Sequence, residues 1–298
     1  MSVSSEIGPY DPSKPTELVF KVKLTADEYE MDPLWLEAAN ISPNHEPGNF
    51  ILVTLLKQWA RSRGLPVFRW RLPCSSSSTS ADTGSGNAQL YEALTERHWE
   101  NYSDLWGYFV EGLPVRIDHN ATLNGRIVNG TQGTLHSLRP ADPRALRDIF
   151  DNHRFEPGDV ITIDIPIAVK IICPSAVESL RDNVVFMSLE ADNRKRVKKV
   201  KLKSVRGSKT LVVYVISSGY DCNFKGTTYS FQGQTVQRAL IDLNSKNNTM
   251  GHVNVGLSRV ASAKHVRVMP WKDGADNKDH LYKLRFDDDY LRWDRYWG

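Results

Sequence analysis

At 298 residues the chain is longer than one typical domain, so one large domain carrying an insertion, or two domains, is expected. Hydrophobic residues at 40% and charged residues at 24% suit a globular protein with a real core. No run approaches the roughly 18–20 apolar residues of a membrane span and the start lacks a basic region followed by an apolar stretch, so an intracellular protein is expected, nuclear if eukaryotic. A net charge of +3 rules out a polycation, so the placement of charge is more telling than its sum.

Residues 1–48 read as a polar, Pro-rich leader. Phe50-Ile51-Leu52-Val53 within residues 49–54 predicts the first buried strand, and residues 55–62 a helix stopped by Gly64. Residues 67–71 alternate as a second strand, the Ser-rich stretch 74–87 reads as a low-complexity surface loop, and residues 90–105 are helical in pattern. Val115-Arg116-Ile117 forms a short strand leading to Asn120, and Asn129-Gly130 signals a hairpin turn because both residues tolerate positive φ. A Pro/Gly-rich hinge over 140–158 leads into a strand at 159–169. With residues 184–189, a basic run at 194–203 and residues 210–216, it gives short β segments without amphipathic helices between them, which predicts a small antiparallel barrel. Two further strand-like runs follow at 236–243 and 253–260. The scattered Cys74, Cys173 and Cys222 have no Cys or His at metal-ligand spacing, so reduced thiols and no metal site are expected.

The chemistry concentrates in three places. Gly226-Thr227-Thr228-Tyr229-Ser230-Phe231-Gln232-Gly233-Gln234-Thr235 is a loop whose glycines allow close backbone approach and whose hydroxyls, amides and N–H groups suit phosphate oxygens; it also reads as an ordinary polar turn. Arg259, after Leu257-Ser258, offers a permanently charged fork that can stabilise charge on a transferring phosphoryl group, or can serve as a salt-bridge partner. In Arg194-Lys195-Arg196-Val197-Lys198-Lys199-Val200-Lys201-Leu202-Lys203, continued by Arg206 and Lys209, cations and apolar residues interleave. Such a strand presents Lys198, Lys199, Lys201 and Lys203 either to a nucleic-acid backbone or to solvent as a protected edge. Asp287-Asp288-Asp289 argues against nucleic acid along the C-terminal tail.

In order and spacing, the loop and the Leu257-Ser258-Arg259 run resemble motifs V and VI of superfamily 1 helicases, most nearly the Pif-type DNA helicases and their Helitron-transposon relatives. The segment from Glu111 through the Asn129-Gly130-Thr131-Gln132-Gly133 turn resembles the same family. The resemblance implies an α/β fold, the mostly parallel RecA-like sheet of the second motor domain, over 49–138 and 210–272. A small antiparallel β barrel is inserted at 139–209, and a tail follows at 273–298. It implies a C-terminal motor half of an ATP-dependent 5′-to-3′ helicase acting on single-stranded DNA, with ATP and Mg²⁺ as cofactors of the complete architecture. Arg259 is then the catalytic arginine finger and shares the nucleotide with Gln232 and Gly233. Thr227, Thr228, Tyr229, Ser230 and Asn120 meet DNA, with Tyr229 stacking on a base or packing in the core.

Departures from the family pattern bear on activity. No G-x-x-x-x-G-K-[ST] string occurs, nor the acidic Mg²⁺ motif that should follow it. The first RecA-like domain must then come from an upstream segment or a partner chain, and neither tight ATP binding nor activity is expected of this chain alone. Tyr229-Ser230 stands where the family has His-Lys or Tyr-Lys, which removes a charge-assisted phosphate contact. Leu55 and Leu56 stand where the Asn and Arg of the family are expected. Two other readings stay open. One is a non-catalytic single-stranded DNA-binding or interaction module derived from a truncated transposon helicase. The other is an unrelated α/β protein, in which Arg259 and the Gln232 loop lie far apart.

Overall fold

The computed structural model describes residues 32–43, 46–75, 94–120, 127–152, 154–174, 184–189, 196–203, 210–243 and 248–269. Outside them lie most of the leader and of the Ser-rich stretch, together with Arg194, Lys195, Arg206, Lys209, the Asp287-Asp288-Asp289 run and the tail at 273–298. Among the described residues, no helix is long and apolar enough to cross a membrane.

The first strand, β1 (Ala39–Ser42), falls inside the stretch read as leader, and all four of its residues are buried. Burial on both faces is what a central parallel strand requires, and β1 has parallel neighbours on each side. Its partners are Lys225–Thr227 and Ala239–Ile241, and the latter pairs in parallel with Val266–Val268. The side-chain NH₂ of Asn40, 3% exposed, donates to the carbonyls of Ala38 (3.0 Å) and Phe224 (2.9 Å), while its Oδ1 is buried without a hydrogen-bond partner.

The expected strand at 49–54 is instead part of helix α1 (Glu46–Ser62). Leu52, Leu55, Leu56, Trp59 and Ala60 recur at helical spacing and are all buried, so the 3.6-residue period governs where a four-residue apolar run suggested a strand. The helix stops at Gly64, whose φ of +70° an ordinary side chain resists. Downstream come β2 (Val67–Arg71), β3 (Cys74–Ser75), α2 (Glu96–Asn101), β4 (Trp106–Phe109), β5 (Pro114–Ile117) and β6 (Gln132–Arg139). Residues 94–105 hold α2 and a short 3-10 turn rather than one helix.

The hinge expected at 140–158 contains helix α3 (Pro143–Asn152). Asp142 caps it, accepting from the N–H groups of Arg144 (2.8 Å) and Ala145 (3.3 Å), while Pro143 occupies the first turn, where its missing N–H costs nothing. The strand expected at 159–169 divides in two. β7 (Val160–Thr162) pairs in parallel with β2, whereas β8 (Ala168–Ile172) pairs antiparallel with β6. Pro166, without a donor, stands between them.

β9 (Val184–Ser188), β10 (Val197–Lys203), β11 (Thr210–Ile216) and β12 (Tyr220–Cys222) complete two antiparallel sheets, in the orders β12-β5-β6-β8-β9 and β10-β11-β3. Their inner faces meet in one core, with Val115, Ile117, Val169 and Val185 from the first and Val200, Leu202, Val213 and Val215 from the second. The sheets thus draw β3, β5, β6, β11 and β12 from outside residues 139–209. Cys74, Cys173 and Cys222 are buried, and burial pushes the thiols of Cys74 and Cys222 up to about 12.

The remaining elements are β13 (Lys225–Thr227), β14 (Ala239–Ile241), α4 (Met250–Leu257) and β15 (Val266–Val268). Two strand expectations are corrected here. Residues 236–243 contribute only the three residues of β14, and 253–260 is not a strand, since its first half is helical. Thr249 caps α4 by accepting from the His252 N–H at 3.2 Å. Gly256 lets the helix lie against Ile241, whose Cδ1 would be 3.2 Å from a Cβ there.

Candidate nucleic-acid cleft

The loop after β13 is shaped by two glycines and one anchor. A Cβ on Gly226 would come within 2.9 Å of the Phe231 ring, so glycine is needed for the chain to fold back over that ring. Phe231 is 1% exposed and pins the 3-10 turn Thr228–Phe231 to the parallel sheet beside Ile41 and Ala239. Gly233 turns the chain at φ +78°, and a Cβ there would meet nothing within 4 Å, so the tip carrying Gln232 and Gly233 is open to solvent.

This turn sorts the candidate side chains. Tyr229 projects outward, 73% exposed, its ring edge-on to His252 at 5.7 Å, so the core-packing alternative does not hold. Thr227 and Thr228 are turned inward at 7% and 4% exposure. The Thr227 hydroxyl shares a hydrogen bond with Ser230 at 3.1 Å. Ser230 is half-buried, so Tyr229 is the member of the quartet presented to a ligand.

Arg259 lies in the turn after α4 rather than at a strand end. Its Nε donates to the Val255 carbonyl (3.0 Å), its Nη1 to the carbonyls of Phe231 (3.4 Å) and Gln234 (3.3 Å), and its Nη2 to the Ser258 hydroxyl (2.8 Å). The Arg259 carbonyl in turn accepts from the Val236 N–H at 2.8 Å. A guanidinium suits this position because helix C-termini and loop carbonyls concentrate negative partial charge. The guanidinium is therefore engaged by the protein's own acceptors, and these are not salt-bridge partners. Arg259 and the Gln232 loop are in contact, which removes the reading that kept them apart.

Arg116, not singled out from sequence, joins the loop from the β5 side. Val115 and Ile117 point into the core, so alternation turns Arg116 outward. Its Nη1 donates to the Ser230 carbonyl at 3.2 Å and its guanidinium carbon lies 5.9 Å from the Phe231 ring centroid. The Gln234 side chain also donates to the Ser230 carbonyl, at 2.9 Å.

A cleft of about 750 Å³ opens here, with Tyr229 and Ser230 on one wall, Arg116 and Asn129 from the β5–β6 hairpin, and Lys198 and Lys199 from β10. Asn120 is exposed but committed to the hairpin, where its Oδ1 accepts from the Asn129 N–H at 3.0 Å.

The basic strand does not act as one charged face. Lys199 and Lys201 alternate with the buried Val200 and Leu202 and are exposed, and Lys203 holds the next position in their row. Lys198 falls in the opposite row, and its Nζ reaches Asp118 (2.8 Å) and both oxygens of Asp221 (3.1 Å each). Asp118 also accepts from the Ser217 hydroxyl at 2.9 Å and pairs with His119 at 3.1 Å. Burial alone would raise the Asp118 carboxyl, but Lys198, Ser217 and His119 outweigh it and hold it below its ordinary range. Burial would lower the Lys198 ammonium, but Asp221 and Asp118 outweigh that and raise it. Lys198 is thus neutralised within the protein and is not a free phosphate contact.

No protein-family model matches the chain, and no curated protein matches it. Solved Pif1 helicases are among the structures to which the chain is similar. For Bacteroides Pif1 bound to ssDNA, the two chains are 10% identical with a TM-score of 0.44, over 92% of this chain and 50% of that one. For Pif1 helicase from Candida albicans the identity is 14% and the TM-score 0.37, over 88% and 54%. For the structure describing DNA unwinding at forked dsDNA by two coordinating Pif1 helicases, they are 11% and 0.44, over 92% and 48%. The chain spans about half the length of each of these structures.

Proposed function

We propose that the chain is the C-terminal motor half of an ATP-dependent 5′-to-3′ DNA helicase of the Pif-type, Helitron-like branch. It is a RecA-like second motor domain interrupted by a small antiparallel β barrel. The observation that carries this reading is the tie between Arg259 and the carbonyls of Phe231 and Gln234. It makes the loop of motif V and the turn of motif VI one mechanical unit beside the parallel sheet. A shift of either moves the other, and Tyr229, three residues before Gln232 on the same loop, carries the shift to the cleft.

The nucleotide side is one wall of a site. Gln232 and Gly233 sit on an open tip with room for a ligand, while Arg259 would exchange its carbonyl partners for phosphate oxygens when ATP and Mg²⁺ are held by the other half. ATP supplies the phosphoryl-transfer energy of the cycle. This chain's residues position the loop and stabilise charge. A first RecA-like domain from an upstream segment or a partner chain supplies the phosphate-binding loop, and the location is intracellular. A second reading, a non-catalytic single-stranded DNA-binding module, is favoured by the four acceptors that already engage Arg259.

The test is reconstitution with a RecA-like domain that carries a phosphate-binding loop. The motor reading expects ATP turnover stimulated by oligo(dT), absent from either part alone. DNA binding without turnover in the reconstituted protein supports the module instead.

A further inference from the structure

The outward face of the five-stranded sheet carries a feature that the cleft does not use. In β9, the last strand of that sheet, Val185 and Met187 are buried while Phe186 stands out at 62% exposure. Lys170 is its cross-strand partner and holds its Nζ 5.0 Å from the Phe186 ring centroid. Ser137 pairs with Lys170 from β6, and the exposed Arg139 lies two pairs further along. A single exposed aromatic is ordinary on a protein surface. One held open beside a cation, with a second cation near, is the combination on which bases stack and phosphates are met.

The face is continuous with the cleft. Arg116 pairs with Gln132, whose side chain reaches Gln234 at 3.5 Å, and Thr134, on the same face of β6, pairs with Ile172 of the strand that carries Lys170. Among the described residues of this face, Asp221 is the one carboxylate, and both its oxygens accept from Lys198 at 3.1 Å. From β5 to β9 there are three strand spacings, about 14 Å at ~4.8 Å each. That accommodates about four stacked nucleotides at ~3.4 Å each.

We propose that this face is a second single-stranded nucleic-acid site, in which a base stacks on Phe186 while Lys170 and Arg139 meet phosphates. It continues the path of the strand that occupies the Tyr229 cleft, and it rests on the nucleic-acid reading of that cleft.

The experiment is fluorescence anisotropy of labelled dT20 with the full 298-residue chain and with Phe186→Leu, Phe186→Trp, Lys170→Met and Tyr229→Leu, across a salt series. Phe186→Leu is expected to weaken binding about 5- to 100-fold without changing the salt slope, and Phe186→Trp to retain it. Lys170→Met is expected to reduce the slope by about 0.7. Wild-type affinity in Phe186→Leu, with affinity lost in Tyr229→Leu, overturns this site and leaves the cleft standing. Failure of the unaltered chain to bind dT20 overturns both. If sedimentation shows a dimer that Phe186→Leu dissolves while DNA affinity is unchanged, the face belongs to a second copy of the chain and the proposal falls.

Discussion

Arg259 donates from Nη1 to the main-chain carbonyl of Gln234 at 3.3 Å, and the same nitrogen lies 3.4 Å from the carbonyl of Phe231. One guanidinium therefore holds the loop, while its Nε holds the last turn of α4 through Val255. The residue has a structural duty that is present before any ligand arrives.

That duty predicts a stability cost. Arg259→Ala should destabilise the fold by about 1–3 kcal/mol, the range for hydrogen bonds to a charged group when their partners are left unmet. Arg259→Lys should recover less than half, because a compact ammonium cannot span four separate acceptors. Urea midpoints of the three proteins measure this, and unchanged midpoints would show that the tie contributes nothing.

The Asp118–Lys198–Asp221 cluster predicts a pH window. The Asp118 carboxyl is held below its ordinary 3.8, so its stabilisation is complete above that value and is lost as pH falls through the lowered folded-state pKa. Lys198 is raised above its ordinary 10.5, so its contribution is complete below that value and is lost as pH rises through the raised one. Asp118→Asn should flatten the acid limb of Tm against pH below about 4. An acid limb identical to that of the unaltered chain would contradict the pairing.

The two rows of β10 predict different salt behaviour. Replacing the exposed Lys199 and Lys201 with Ala should flatten the slope of log K for oligo(dT) against log salt by about 1.4, since each contact to a single strand contributes roughly 0.7. Lys198→Met should leave that slope almost unchanged, because its charge is already spent on Asp118 and Asp221. Equal slopes for the unaltered chain and the double variant would make the row a solvated edge.

Burial separates the loop residues. Tyr229→Leu should weaken oligo(dT) binding by about 1–3 kcal/mol, the range for one base stacked on an aromatic ring. Thr228→Val should leave stability within about 1 kcal/mol, since the Thr228 Oγ1 is buried without a hydrogen-bond partner and the substitution conserves volume. A Thr228→Val variant that binds DNA as poorly as Tyr229→Leu would mean that the turn opens to engage its ligand.

What could be read in the sequence was what local pattern carries. The Asn129-Gly130 turn, the alternation of β10 and the order of the two motifs are encoded in neighbouring residues, and Gly130 adopts φ +96°. Phe50-Ile51-Leu52-Val53 misled because four apolar residues cannot distinguish a buried strand from one turn and a bit of helix; the period becomes visible only through Trp59. In α4, the alternation Val253-Asn254-Val255 masked a helix announced by its Thr249 cap. The partners of Arg259 are main-chain carbonyls, which any residue can supply. Lys198 meets Asp118 and Asp221 only because three strands distant in sequence converge, so no local pattern announces its neutralisation.

The assignment of Arg259 to transition-state charge is tested most directly by steady-state ATP turnover and oligo(dT) affinity, measured together on the reconstituted motor with Arg259 and with Arg259→Ala. The account predicts that turnover falls by roughly 10³- to 10⁵-fold while DNA affinity is nearly kept, as for a group that acts on transition-state charge. Turnover that survives the substitution, or DNA affinity that falls as far as turnover does, would contradict it and leave Arg259 as a clamp on the loop alone.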